Sequence, residues 1–255
     1  MIVMTVASHT ETTFNSKTVH VIKADLDCVS VESISGSVTG SAKFGVNGTF
    51  FSGTSLLGIA INNGAAVRTG GTQTGQACGV STKRGTMYCY SPSYNSQYLN
   101  TEVVKNSTDT GASASQIKWA IGGYSLFPYR SYSSSTDYYK DINGTGTASD
   151  CTLAKVDSEN AYRLEPSNSR PRTAIGWNGS KIVLAAFASE NAYNVRQFMI
   201  NQGCSALAIM LDGGSSTQMR FGIPTPGGLG TGTFDPSGAG ASVYQMVSVN
   251  PTSWI

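Results

Sequence analysis

The sequence predicts an α+β fold: a strand-rich core built on a mixed, twisted sheet, with few helices, long loops and a C-terminal β-hairpin–α–β unit. Three observations predict it. Charged residues are only 13% of the 255, while 29 are glycine and Ser, Thr and Asn are plentiful. That balance leaves few helix-stabilising Glu/Lys pairs and supplies many turns. Apolar residues nevertheless reach 40%, enough to pack one large core. Short apolar runs bounded by Gly, Asn or Asp recur along the chain, as strands do.

Taken in order, residues 19–27 alternate as a strand, and a second strand runs near residues 43–51. Residues 70–115 carry short strand-like pieces around 78–80 and 86–90 within polar loop. Trp119 to Phe127 is an apolar strand ending in a glycine turn. Residues 128–168, rich in Ser, Tyr, Asp and Gly, read as a long surface excursion, the kind of segment that often serves as a lid. Neither a repeat nor a linker divides the chain, so residues 1–255 are expected to form one domain.

The C-terminal third is the most legible. Pro171 to Trp177 and Lys181 to Phe187 are apolar runs separated by Asn178-Gly179, a strong hairpin signal. The second run is apolar throughout, which predicts burial on both faces. Ala192, Val195, Phe198 and Met199 then follow helical spacing, with Gly203 as the terminating residue. Ala206 to Leu211 is a further strand, ending in Asp212-Gly213-Gly214-Ser215-Ser216. Strand, helix, strand implies a parallel crossover, and ligands gather beyond the carboxyl ends of such strands. If the hairpin strands and the crossover strand are neighbours, Arg172, Glu190 and Asp212 converge on one rim of the sheet.

Composition also excludes classes. A net charge of +2 without a Lys/Arg cluster gives no footprint for nucleic acid. No apolar run is long enough for a membrane-spanning helix. The first 14 residues lack the charged start and apolar length of a signal peptide, so a cytosolic, already trimmed or virion-associated chain is expected. Five cysteines without a CxxC pair argue against a zinc ribbon. Cys78 and Cys89 could bridge a hairpin, but reduced, buried thiols are the simpler expectation. Two histidines, His9 and His20, exclude a multi-histidine metal centre. No metal and no cofactor are expected.

Four motifs follow one another: Val46-Asn47-Gly48-Thr49-Phe50-Phe51, Ile121-Gly122-Gly123-Tyr124-Ser125-Leu126, Arg170-Pro171-Arg172-Thr173-Ala174-Ile175-Gly176, and Leu211-Asp212-Gly213-Gly214-Ser215-Ser216. In this order they resemble the signatures of the phosphodiester glycosidase family, over roughly residues 19–249. The resemblance implies hydrolysis of the bond between a sugar's anomeric carbon and phosphate, in substrates of the N-acetylglucosamine 1-phosphodiester type. Glycans or cell-surface polymers would carry such a link. It also implies that Asn47, Gly123, Arg172, Thr173, Asp212 and Ser216 line the site. The chain departs from the family pattern at Gly48-Thr49, where a glycine pair is usual. It departs again at Ser215, in place of a third glycine, and at Arg170, where a histidine often precedes the proline.

Each residue also has a plainer reading. Asn47-Gly48 could be a simple hairpin turn, Arg172 a surface charge, and Asp212 an Asx turn. Glu190 reads equally as a helix N-terminal charge or as a catalytic acid. Glu159 and Glu165 fall in a loop, and Asp25 and Asp27 read as exposed strand residues. A phosphate monoester leaves far more readily than an alcohol, so neutralising it matters more than protonating it. The expected division of labour follows: Arg172, Thr173 and the Gly213, Gly214, Ser215, Ser216 loop hold the phosphate, and Asp212 or Glu190 acts as base or nucleophile. The alternative is a carbohydrate-binding or phage structural module that uses the fold without chemistry. Oligomeric state is not readable from the sequence.

Overall fold

The computed structural model describes residues 4–68, 84–93, 96–104, 106–142, 164 and 166–255. Nineteen strands and two α-helices follow in order among these residues: β1 (Val6–Phe14), β2 (Lys17–Ala24), β3 (Val29–Ser33), β4 (Phe44–Asn47), β5 (Phe51–Ser52), β6 (Ser55–Leu56), β7 (Ala60–Asn62), β8 (Ala65–Ala66), β9 (Arg84–Tyr90), β10 (Tyr98–Val104), β11 (Ile117–Gly122), β12 (Tyr124–Ser125), α1 (Ser135–Ile142), β13 (Arg170–Trp177), β14 (Ile182–Glu190), α2 (Ala192–Asn201), β15 (Leu207–Met210), β16 (Met219–Thr225), β17 (Gly228–Phe234), β18 (Gln245–Val249) and β19 (Ser253–Trp254). The fold is α+β and strand-rich, as the composition predicts.

A seven-stranded sheet, β12-β15-β13-β14-β2-β1-β19, forms the middle layer. One face packs against two five-stranded sheets, β10-β9-β11-β7-β8 and β17-β16-β4-β18-β3. The other face is covered by α1 and α2. β14 shows why the layers form. Ile182, Leu184 and Ala186 enter the inter-sheet core, while Val183, Ala185 and Phe187 enter the helix-side core. All six are fully buried, and each large apolar side chain so buried stabilises by about 1.5–3 kcal/mol. The uninterrupted apolar run is thus a strand sealed on both faces, as its sequence predicts.

α2 stops where the sequence places its C-terminal end. The Asn191 side chain accepts the Asn194 N–H at 2.9 Å, capping the first turn. Gly203 takes φ +89°, and the Gly203 and Cys204 amides return to Ile200 and Met199 carbonyls, both at 2.9 Å, closing a Schellman motif.

Three expectations change. β14 and β15 run parallel, but β13 lies between them and is antiparallel to both. The α2 connection therefore steps over the hairpin partner and does not join neighbours. The Asn178-Gly179 hairpin is not a two-residue turn, because Trp177 pairs with Ile182 and leaves a four-residue loop. The Asn178 side chain accepts the Ser180 and Lys181 amides at 3.0 and 2.8 Å, so it caps the loop from outside the left-handed region. The true two-residue turn is Asn15-Ser16, with φ of 50° and 60°, the type I′ geometry joining β1 and β2. Finally, the 128–168 excursion contains α1, whose Tyr138, Tyr139 and Ile142 are buried; residues 143–163 and 165, with Glu159, Glu165 and Cys151, lie outside the described residues.

Cys28, Cys89 and Cys204 are free and buried. Burial pushes their thiols up, to about 11 for Cys28 and about 12 for the other two, so all three are poor nucleophiles. Cys78, the possible partner of Cys89, lies outside the described residues.

The two histidines meet where β1–β2 packs on β16–β17. His9 Nε2 and His20 Nδ1 share a hydrogen bond at 3.0 Å. His9 stacks 3.4 Å from the Phe221 ring and His20 4.2 Å from Phe234. Glu11 stands 3.7 Å from His20 Nε2. Desolvation first, then the neighbouring His20, lowers His9 to about 4; desolvation also lowers His20, against the pull of Glu11. A depressed imidazole favours the neutral fold, so this stabilisation is complete above the unfolded pKa near 6.5 and is lost as pH falls through the folded value. Wild type should therefore lose stability relative to His9→Phe, which keeps the stack on Phe221, between pH 6.5 and 4. Urea unfolding at several pH values checks this; parallel curves would refute it.

Candidate functional site

Because β13 is antiparallel to both neighbours, its entry end lies beside the exit ends of β14 and β15. The rim so formed carries Arg172, Glu190 and Asp212. The link between the motifs is then made by hydrogen bonds. The Leu211 N–H donates to the Thr173 carbonyl at 2.8 Å and the Asp212 N–H to the Gly48 carbonyl at 3.0 Å. The Asn47 side-chain amide donates to the Asp212 carbonyl at 2.9 Å. Its oxygen accepts the Thr173 hydroxyl at 2.7 Å and the Gln218 N–H at 3.2 Å. Gly123 lies so close to this seam that a Cβ there would stand 2.2 Å from the Met210 carbonyl oxygen. All four sequence motifs therefore meet at one place.

Asn47 and Thr173 are buried, 1% and 0% exposed, and their side-chain polar atoms are spent on one another, on Asp212 and on Gln218. They hold the Asp212 loop from below. Asn47→Ala orphans two buried groups, the Thr173 hydroxyl and the Gln218 N–H, and the part-buried Asp212 carbonyl; each buried one costs about 1–3 kcal/mol. The expected result is a loss of about 2–6 kcal/mol in denaturant unfolding, together with lower activity. A variant within 1 kcal/mol of wild type (about one unpaired group) would show that the loop stands without this anchor.

Arg172 is 6% exposed. Its Nε donates to the Glu190 carbonyl at 3.2 Å and its Nη2 to the Asn168 carbonyl at 2.9 Å. Nη1 makes no hydrogen bond among the described residues and lies on the side of Gly213, where a Cβ would be 3.7 Å from it. Burial, then the charge of Arg170, lowers the guanidinium to about 10, while Tyr124, Tyr139 and Tyr138 oppose the shift. It remains a cation at neutral pH. The guanidinium is thus fixed by two main-chain oxygens with one donor edge left over, the preorganised state that suits an oxyanion.

Asp212 is half-buried. Its Oδ1 accepts the Gly213 N–H at 2.9 Å. Burial raises its carboxyl to about 6, against the Ser216 and Gly213 hydrogen bonds and the charge of Arg172. No ion pair within 4.0 Å joins Asp212 to Arg172 among the described residues. A carboxyl titrating near neutrality is suited to proton transfer. Gly214 has φ +65° with open space around it, and Ser215 is exposed, so the turn after Asp212 faces solvent.

Glu190 closes β14 and is 3% exposed. Its Oε2 accepts the Asn194 side-chain amide at 2.7 Å, and its Oε1 is buried without a hydrogen-bond partner among the described residues. Glu190 immediately precedes Asn191, the N-cap of α2, so its buried carboxylate also stands at that helix N-terminus. Asp25 pairs with Lys181 at 2.6 Å and accepts the Val6 N–H at 2.7 Å, so it ties β2 to β1 and β14 and is no free surface acid; Asp27 is exposed.

Sequence reasoning missed Asn168, Asn194 and the tyrosines Tyr124, Tyr138 and Tyr139 around Arg172. The one available signal was Tyr138, Tyr139 and Ile142 at helical spacing. A polar cavity of about 370 Å³ lies elsewhere, lined by Asp27, Asn62, Gln97, Lys118 and Trp119 among others; it contains none of the rim residues. No group of three or more His, Cys, Asp or Glu that could hold a metal occurs among the described residues. No helix there is long and apolar enough to cross a membrane.

A layered α+β protein with a fixed guanidinium, a neutral-titrating carboxyl and a glycine turn on one sheet rim belongs to the class that can bind an oxyanion beside an acid–base group. A sequence model described as phosphodiester glycosidase matches residues 40–249, and the chain belongs to that family. Comparison with curated proteins finds no match. Membership makes the chain a glycosidase-type protein, and the match covers all four motifs.

Proposed function

We propose that this protein hydrolyses the bond between the anomeric carbon of a sugar and the phosphate oxygen in glycosyl 1-phosphodiesters, N-acetylglucosamine being the sugar, without a metal. The observation that carries this reading is the pairing, on one rim, of an Arg172 edge free for a phosphate oxygen with an Asp212 carboxyl raised to about 6. Arg172 and the Gly213–Ser216 turn neutralise the leaving phosphate. Asp212 takes a proton from the water that attacks the anomeric carbon. The C–O bond then breaks toward the phosphate, and the sugar and a phosphomonoester are released. Charge develops on the leaving oxygen, and fixed donors there are worth on the order of 2.7–4 kcal/mol each. Asn47 and Thr173 act as positioning residues for Asp212, and the Glu190 carbonyl positions Arg172.

The test is release of reducing sugar from N-acetylglucosamine 1-phosphodiesters in isotopic water, with and without chelator. Solvent oxygen on the sugar, undiminished by chelation, is the expected result. Solvent oxygen on the phosphate would mean cleavage of the P–O bond and would refute the mechanism. Binding without release would favour a carbohydrate-binding module.

A further inference from the structure

Arg172 is not alone on its strand face. Arg170 lies two residues earlier, so the alternation of β13 puts both side chains on the same side. The register shift between Arg170 and Arg172 marks a local irregularity opposite residues 188–189. One residue serves both guanidiniums: Asn168 accepts Arg170 Nε on its side-chain oxygen at 2.6 Å and Arg172 Nη2 on its main-chain oxygen at 2.9 Å. Arg172 is buried and Arg170 is exposed, so the two cations run from the floor of the rim to its mouth.

Two like charges held together are costly unless an anion offsets them. The cost is visible, since Arg170 is the second cause of the lowered basicity of Arg172. No carboxylate lies within 4.0 Å of either guanidinium among the described residues. Of the acids on the neighbouring elements, Glu190 turns one oxygen to Asn194 and Asp212 turns one to the Gly213 amide. The other titratable groups around Arg172 are the phenols of Tyr124, Tyr138 and Tyr139.

We infer that Arg170 is a specificity-determining residue: the site selects glycosyl phosphodiesters whose aglycone carries a second anionic group, with Arg172 on the scissile phosphate and Arg170 on the further anion. This rests on the proposed hydrolysis at Arg172 and Asp212. It gives the arginine at 170, where the family pattern often has a histidine, a chemical purpose. A guanidinium is charged at any working pH and grips a phosphate or carboxylate with two parallel donors.

The experiment compares N-acetylglucosamine 1-phosphodiesters with methyl and with phosphoglyceryl aglycones, in wild type and Arg170→Gln. Wild type should favour the anionic aglycone by about tenfold in kcat/KM, the scale of one charge-assisted contact, chiefly through KM. That preference should shrink in 0.5 M salt, about where screening becomes short-ranged. R170Q should lose the preference, with a much smaller loss on the methyl substrate. Equal use of both substrates by wild type, or a preference that R170Q keeps, overturns the inference. Calorimetric binding of glycerol bisphosphate against glycerol monophosphate gives a second reading that needs no turnover. Tighter bisphosphate binding that depends on Arg170 supports the inference even if neither diester is cleaved, in which case only the proposed hydrolysis fails.

Discussion

Arg172→Ala lowers kcat/KM for a glycosyl 1-phosphodiester by about 10²–10³-fold, the effect of removing one preorganised donor to a developing oxyanion. The expectation comes from how the side chain is held. Two of its nitrogens are committed to the Glu190 and Asn168 carbonyls, so the guanidinium needs no reorganisation when charge builds on the leaving oxygen. Arg172→Lys should recover little, because a single ammonium cannot satisfy both carbonyls and still present an edge to the phosphate. Leaving-group chemistry sharpens the test. If Arg172 neutralises the departing phosphate, its loss should hurt least for the diesters with the most acidic leaving groups. A loss that ignores leaving-group acidity would mean that the residue only binds ground-state substrate. Activity within fivefold of wild type would remove it from the reaction. Circular dichroism should show a retained fold and unfolding curves a loss of about 1–3 kcal/mol, since the Glu190 carbonyl loses its donor in a buried setting while the Asn168 carbonyl sits in a partly exposed segment.

How much of this was legible in the sequence follows from which signals are local. The apolar run of β14 and the glycine stop of α2 are local, and the structure places them as read. The meeting of Arg172 with Asp212 followed from strand direction, and it survives even though β13, not β14, is the neighbour of β15, because antiparallel partners bring the same ends together. What failed depends on side-chain direction. An asparagine beside a glycine reads alike whether its amide meets a ligand or, as with Asn47, cross-links Asp212, Thr173 and Gln218. Asn178-Gly179 carries the stronger turn signature, yet its side chain caps a four-residue loop, while the weaker Asn15-Ser16 pair makes the tight turn. α1 was hidden because only Tyr138, Tyr139 and Ile142 mark its buried face in an otherwise polar stretch.

Asp212→Asn is expected to abolish most turnover while making the protein more stable at neutral pH. As a general base, Asp212 contributes about 10²–10⁴-fold, and the amide cannot accept the proton. Wild-type kcat/KM should rise with pH through about 6, the raised value of this carboxyl, and the residual activity of the variant should lack that inflection. The stability effect has the opposite sign. The folded pKa lies above the ordinary value of 3.8, so the fold prefers the protonated acid. That preference is fully expressed below 3.8 and lost as pH rises through 6. Above that, wild type bears the cost of a poorly solvated carboxylate, and the partial exposure of Asp212 holds it to about 1–2 kcal/mol. Asparagine escapes this cost and still offers an oxygen to the Gly213 amide. The variant should therefore unfold at higher urea than wild type at pH 7.5, and the gap should close near pH 4. An inactive variant with no gain in stability would mean that the carboxylate is well solvated and its chemistry is not tuned by burial. A variant with near-normal turnover would move the base role to Glu190, whose Oε1 has no hydrogen-bond partner among the described residues.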